Sequence, residues 1–183
     1  DAWLVLAQVH AQRHRWVLAR RALARAGRAG GDETEVLRLL GWIAKDQGDL
    51  ATASGAVREL LRLRPDDHPA RVQAAFVCAA AGDLASAALH AQAAVAQDPA
   101  SVQAWRALAQ VRYRQQRLDE AQSAIETALQ LQPGHADSLS QLGWILLDGQ
   151  RLGAARLAFL HACEMAPEQP RPLRELTEAC LRS

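Results

Sequence analysis

A step of 34 residues governs this chain. Pro65, Pro99, Pro133 and Pro167 stand at that interval, and the same step joins Ala19, Ala53, Ala87, Ala121 and Ala155. It also joins Trp16, Leu50, Leu84, Leu118 and Leu152, and again Leu6, Leu40, Ala74, Leu108, Leu142 and Leu176. Directly after that last ladder run Ala7, Gly41, Ala75, Ala109, Gly143 and Thr177. A fixed period of this size marks a stacked-repeat architecture, in which no unit can bury its apolar face alone and neighbours cover one another.

Inside one period the pattern is a pair of helices. Leu37, Leu40, Gly41 and Ala44 follow the i, i+3, i+4, i+7 rule. Gly48-Asp49 then punctuates the chain, with Gly suited to a left-handed helix exit and Asp to the next N-cap. Leu50, Ala53, Val57 and Leu60 form the second stripe, and Pro65 closes the unit. Gly82-Asp83 repeats the punctuation, whereas His14-Arg15, Gln116-Arg117 and Gln150-Arg151 replace it elsewhere, so the turn glycine is not obligatory. The small rung at Gly41, Ala75, Ala109 and Gly143, facing the Ala53, Ala87, Ala121 and Ala155 ladder, predicts close approach of paired helices, with the large rungs filling space between units.

Composition agrees. Half of the 183 residues are hydrophobic, enough for a substantial core, and alanine, the best helix former, supplies about one residue in five. Asparagine is absent, and 20 of the 21 basic residues are Arg, Lys45 being the exception, a bias expected of a GC-rich bacterial coding sequence. The net charge of +1 argues against nucleic-acid binding by the chain as a whole. No run of 18 apolar residues occurs, so no membrane insertion is expected. The opening DAWLVLAQ lacks a Met and a basic n-region and reads as a processed or cut end rather than a signal peptide. Cys78, Cys163 and Cys180 form no CxxC and no disulfide framework; buried reduced thiols are expected, which suits a bacterial cytoplasm and leaves the periplasm open.

The rungs Trp105, Leu108, Ala109, Tyr113, Ala121, Ala128 and Pro133, and the stretch from Leu40 to Pro65, resemble the tetratricopeptide repeat (TPR). The resemblance implies an all-α fold: a right-handed α-solenoid of antiparallel helix hairpins, forming one TPR superhelix over residues 1–183. The repeats are expected at about 1–33, 34–67, 68–101, 102–135 and 136–168, with one further helix over 169–183. In that last segment Leu173, Leu176 and Cys180 fall on inward ladders, while Arg171, Arg174, Glu175, Glu178 and Arg182 are polar. Two readings stand: a capping helix over the open end, or the first helix of a repeat cut short. The first repeat carries Gly31 where the others carry Pro, which predicts a looser junction there.

With 100° per residue, Trp42 lies roughly 150° from the centre of its helix's apolar stripe. The resemblance to TPR proteins implies that such first-helix positions line a concave groove that holds peptides. The 34-step through Trp42 joins Gln8, Trp42, Phe76, Gln110, Trp144 and Glu178, and the flanking rungs include Arg38, Arg106, Gln73, Gln141, Lys45, Tyr113 and Arg114. The expected partner-binding groove therefore comprises Arg38, Trp42, Lys45, Gln73, Phe76, Arg106, Gln110, Tyr113, Arg114, Gln141 and Trp144, with aromatics as anchors and Arg and Gln meeting backbone or acidic groups. The competing reading is that these aromatics pack between consecutive first helices. Trp3, Trp16 and Trp105 belong to the packing ladders. The carboxylate clamp that holds chaperone tails, and the asparagine ladder of the O-linked N-acetylglucosamine transferase superhelix, both need Asn and are absent.

No catalytic constellation emerges, and no cofactor is expected. His10 and His14 have i, i+4 spacing but no third ligand in view, and GRAGGD lacks the ending of a phosphate loop. Arg13, Arg15, Arg20, Arg21, Arg25 and Arg28 form a dense basic stretch, and residues 1–64 carry 11 basic and 7 acidic groups, a sum of +4. A solvated outer face explains it, with an acidic partner as the alternative. The sequence thus predicts a non-catalytic module that binds a partner polypeptide or peptide, such as a bacterial scaffold for secretion, pilus or envelope assembly. The alternatives are the substrate-docking region of a larger glycosyltransferase or sulfotransferase, and a self-assembling homo-oligomeric array.

Overall fold

The computed structural model describes residues 2–168 and 174–178. Its helices are α1 (Ala2–Gln12), α2 (Trp16–Arg28), α3 (Glu33–Asp46), α4 (Leu50–Leu63), α5 (His68–Ala81), α6 (Leu84–Gln97), α7 (Val102–Arg114), α8 (Leu118–Leu131), α9 (Ala136–Asp148) and α10 (Leu152–Met165). Residues 174–178 are helical too, and no strand occurs among the described residues. The chain is an all-α helical-repeat solenoid made of two compact units, Asp1–His90 and Ala91–Ser183, with α6 running through the boundary. In the first unit α1 pairs with α2, α3 with α4, and each later hairpin lies on the one before it; in the second, α7 pairs with α8 and α9 with α10 in the same manner.

The alanine ladder makes the hairpins tight. Ala19, Ala53, Ala87, Ala121 and Ala155 are all fully buried, as are Ala7, Ala75 and Ala109 on the facing rung. Opposite that small rung stands a buried rung of variable size, Leu23, Val57, Ala91, Ile125 and Phe159. A Cβ on Gly143 would stand 2.6 Å from Phe159 Cε1, so glycine there makes room for the largest of the facing residues. Trp3 and Trp16 pack on the first cluster and Trp105 on the Ala109–Ile125 cluster, where its indole N–H also donates to the Pro99 carbonyl at 2.8 Å.

The turns keep the period even where the residue type changes. Gly48 and Gly82 take φ of +77° and +85°, and His14, Gln116 and Gln150, the other members of that 34-step ladder, take +54°, +61° and +58°. Asp49 and Asp83 then cap the following helix by accepting from the amides of Thr52 and Ser86. Arg15, Arg117 and Arg151 at the same place make no side-chain cap. The first repeat ends differently from the rest. Gly30 is left-handed and the Gly31 amide donates to the Ala26 carbonyl at 3.0 Å, so α2 closes on its own hydrogen bonds. Helices α4, α8 and α10 instead leave through Arg64, Gln132 and Ala166, at φ of −133°, −143° and −139°, into Pro.

Of the terminal segment, Glu175 is buried and Leu176 packs on the cluster around Phe159. The expectations for Arg171, Leu173, Cys180 and Arg182 lie outside the described residues.

Candidate functional site

The expected groove residues fall on first helices, five in the first unit and six in the second. In the first unit, Trp42 and Phe76 stand at the same rung of α3 and α5, with ring centroids 5.8 Å apart and planes tilted by 52°. Both rings are partly exposed. Lys45, one turn along α3, sets its ammonium 5.2 Å from the Trp42 ring centre and pairs with Asp46 at 2.7 Å. This is a cation over an aromatic face beside a second ring, an apolar platform with a polar edge.

Arg38 and Gln73 are spent inside the protein. The Arg38 guanidinium reaches Asp67 at 2.8 Å and also pairs with Glu35, and Gln73 Nε2 donates to the Arg38 carbonyl at 2.8 Å. Gln73 is fully buried, so the expectation that it lines an open surface is corrected: its amide bridges α5 to α3. The physical cause is Gly41, whose missing Cβ leaves the space that the Gln73 amide fills; a Cβ there would lie 2.5 Å from Gln73 Nε2.

The second unit repeats this staple two repeats on. Arg106 pairs with Asp137 at 3.2 Å, and Gln141 Nε2 donates to the Arg106 carbonyl at 3.1 Å. Burial, and after it the Arg106 charge, hold the neighbouring His135 imidazole below its ordinary pKa, against the opposing pull of Asp137. Tyr113 donates its hydroxyl to Asp148, Gln110 is partly exposed, and Arg114 is exposed. Trp144 takes a different place from Trp42. It meets Phe159 of its own hairpin edge-on, with centroids 5.4 Å apart, and belongs to that core cluster while keeping part of its surface open.

The anchoring carboxylates escaped the periodicity. Asp67 and Asp137 are not on one rung, since 34-steps from Asp67 lead to Ser101 and His135. The signal that finds them is an acid at the start of the following first helix, 29 or 31 residues beyond each Arg.

Nothing gathered here forms a metal centre: among the described residues no group of three or more His, Cys, Asp and Glu could hold an ion. His14 sits in its turn with its ring 5.2 Å from that of Trp16, and His10 Nδ1 is buried without a hydrogen-bond partner. Cys78 and Cys163 are free and only partly buried, and burial pushes both thiols up, away from the reactive thiolate. No described helix is long and apolar enough to cross a membrane.

With this geometry in hand, comparison with known proteins is direct. The family model for the tetratricopeptide repeat matches residues 38–102, 79–121 and 106–170. The thermophilic TPR protein TTC0263 of Thermus thermophilus superposes with a TM-score of 0.90 at 19% identity over 98% of each chain. MamA of Desulfovibrio magneticus RS-1 gives 0.65 at 22% identity, covering 92% of this chain and 95% of that one. The Thermobaculum terrenum O-GlcNAc transferase gives 0.65 at 21% identity, over 72% of this chain but only 26% of its own. No curated protein sequence matches.

Proposed function

Because the chain belongs to the tetratricopeptide-repeat family, a class of protein-interaction modules, we propose that it binds a partner polypeptide on its first-helix faces and that the aromatic platform of the first unit is the principal anchor. The observation that carries this reading is the partly exposed Trp42–Phe76 pair with Lys45 over it. Aromatic and basic side chains contribute most of the binding energy where they meet a partner. In the second unit, Gln110, Tyr113, Arg114 and the open edge of Trp144 provide a smaller patch of mixed polarity. Arg38, Arg106 and Gln141, engaged within their own units, set the spacing of the first helices and leave little hydrogen-bonding capacity for a ligand. The reading assigns binding and no chemistry to this chain.

The test is peptide selection from a random displayed library, followed by affinity measurement on variants. Peptides selected by the wild type lose binding at least about tenfold in Trp42→Ala/Phe76→Ala, because two large anchors disappear together. Selected peptides that bind this double variant as well as the wild type would overturn the reading. The likeness to part of a transferase supports a second use of the same face, as a substrate-docking region within a longer polypeptide, and the full reading frame decides between the two.

A further inference from the structure

The Arg-rich stretch of α2 takes no part in either first-helix patch, and the structure gives it a different setting. We propose that the second-helix side of the first unit is a separate docking surface for an acidic, amphipathic segment of a partner polypeptide. Between α2 and α4, with α3 beneath, runs an open furrow of about 440 Å³. Leu23, Val36 and Leu40 supply its apolar lining, and Arg20 and Arg28 stand among its polar residues. One repeat on, a furrow of about 380 Å³ lies over α5 between α4 and α6, lined by Val57, Ala74 and Val77 and edged by Arg58, His90 and the carboxylate of Asp83.

Sequence explains why the furrows exist. Ala24 and Gly27 keep the α2 wall low, and a Cβ added at Gly27 would meet nothing within 4 Å. The second furrow differs at its edge, where His90 adds a ring in place of the Ala22, Ala56, Ala124 and Ala158 of the other four repeats. The charges select the occupant. Arg20 is held by Asp49 at 2.7 Å, but Arg28 bonds only the Ala24 carbonyl of its own helix at 3.2 Å. Arg21, one turn before Ala24 and two before Arg28 on the α2 surface, and Arg58 in the next furrow are exposed, with no carboxylate in ion-pair reach among the described residues. The surface thus offers an open apolar furrow with cations along it, inside a stretch whose charges sum to +4, from 11 basic and 7 acidic groups in residues 1–64. A helix with Leu or Phe toward the furrow and Glu or Asp on its flanks uses both features. A phosphodiester or lipid headgroup would meet the cations and leave the furrow unfilled.

The test uses a fluorescein-labelled synthetic peptide with Leu and Phe at helical spacing among Glu residues, a Gln-for-Glu counterpart, and fluorescence anisotropy at low salt. Saturable binding of the acidic peptide is expected, weakening as salt is added and at least about tenfold weaker for the Gln peptide. Gly27→Phe sets a ring at the furrow wall, where an added Cβ meets nothing within 4 Å, and is expected to abolish binding, with a thermal melt checking that the fold is intact. Arg21→Glu/Arg28→Glu weakens binding about tenfold or more, and Trp42→Ala/Phe76→Ala leaves it unchanged, which separates this surface from the first-helix reading. Failure of the wild type to bind would overturn the proposal. So would undiminished binding by Gly27→Phe, or a preference for phosphatidylglycerol vesicles or polyuridylate that survives Gly27→Phe.

Discussion

Trp42 and Trp144 occupy the same rung, three repeats apart, and meet different neighbours. Each follows a buried glycine. In the second unit the space beside Gly143 is filled by Phe159 from the same hairpin, and the Phe159 ring continues outward to touch Trp144. In the first unit the residue equivalent to Phe159 is Val57, too short to do both jobs. Gln73 from the next first helix enters the space beside Gly41 instead, and Trp42 finds its ring partner in Phe76. One void is closed within a hairpin and the other between consecutive hairpins. Rung position therefore does not decide whether an aromatic serves the core or a surface; the volume of the facing residue does.

The comparison breaks most readily at Phe159. Phe159→Ala removes a fully buried ring and is expected to cost about 3–5 kcal/mol in urea unfolding. It also exposes Trp144 to acrylamide while leaving Trp42 as it was. Unchanged quenching in that variant would show that Trp144 does not depend on Phe159. The glycines give the next largest effect. Gly143→Ala forces a Cβ to within 2.6–2.8 Å of three ring atoms and is expected to cost about 2–3 kcal/mol. Gly41→Ala meets the far end of the Gln73 side chain, which swings aside with loss of one hydrogen bond, at about 1 kcal/mol. Equal costs at the two glycines would refute the claim that the voids are closed by different means.

The turns separate the units on a smaller scale. Gly48 and Gly82 in the first unit occupy the left-handed region without a Cβ penalty, whereas Gln116 and Gln150 in the second occupy it with one. Gln116→Gly and Gln150→Gly should therefore each raise stability by about 0.5–1 kcal/mol, measured as a shift of the urea midpoint. His14→Gly should gain less, since its ring contact with Trp16 is lost.

How far the sequence reached follows from the same physics. Periodicity exposes whatever every repeat shares, so the helix pairs, the fully buried alanine ladder and the turns at His14, Gln116 and Gln150 are legible in the residues alone. It is blind to what one repeat does to the next at an offset other than 34. Arg38 and Gln73 read as groove residues because of their helix face, yet they are engaged by Asp67 and by a backbone carbonyl across that offset. The closure of α2 by Gly30 and Gly31 was hidden for a related reason. Glycine in place of proline reads as slack, but Gly31 keeps the amide that proline lacks, and beyond the left-handed Gly30 that amide completes the helix's own hydrogen bonds at the Ala26 carbonyl.

The smallest expected difference between the units lies in how they respond to acid. Helix α9 is capped by His135, whose Nδ1 accepts at 3.2 Å from the Ser138 amide, shares that amide with the His135 backbone carbonyl at 2.9 Å, and so must be unprotonated. Burial, then Arg106, hold this imidazole below its ordinary value near 6.5. A group with a depressed folded-state pKa contributes stability above its unfolded value and loses it as pH falls through the folded one, so the α9 cap weakens below about pH 6.5. In the first unit the caps of α3 and α4 are carboxylates. The Thr34 hydroxyl and then its amide hold Asp32 down, while Arg20 and then Thr52 hold Asp49 down, both below the ordinary 3.8. Those caps persist until pH falls through values lower than that. His90 is likewise held below 6.5, chiefly by burial and then by Arg71, but caps no helix. Hydrogen exchange at the Ser138 amide, corrected for its intrinsic rate, should therefore quicken as pH falls below about 6.5 while that at Thr52 holds steady. In His135→Asp the Ser138 response should move into the acid range of the carboxylate caps. A flat Ser138 profile in the wild type would show that the imidazole's acceptor role does not protect this helix end.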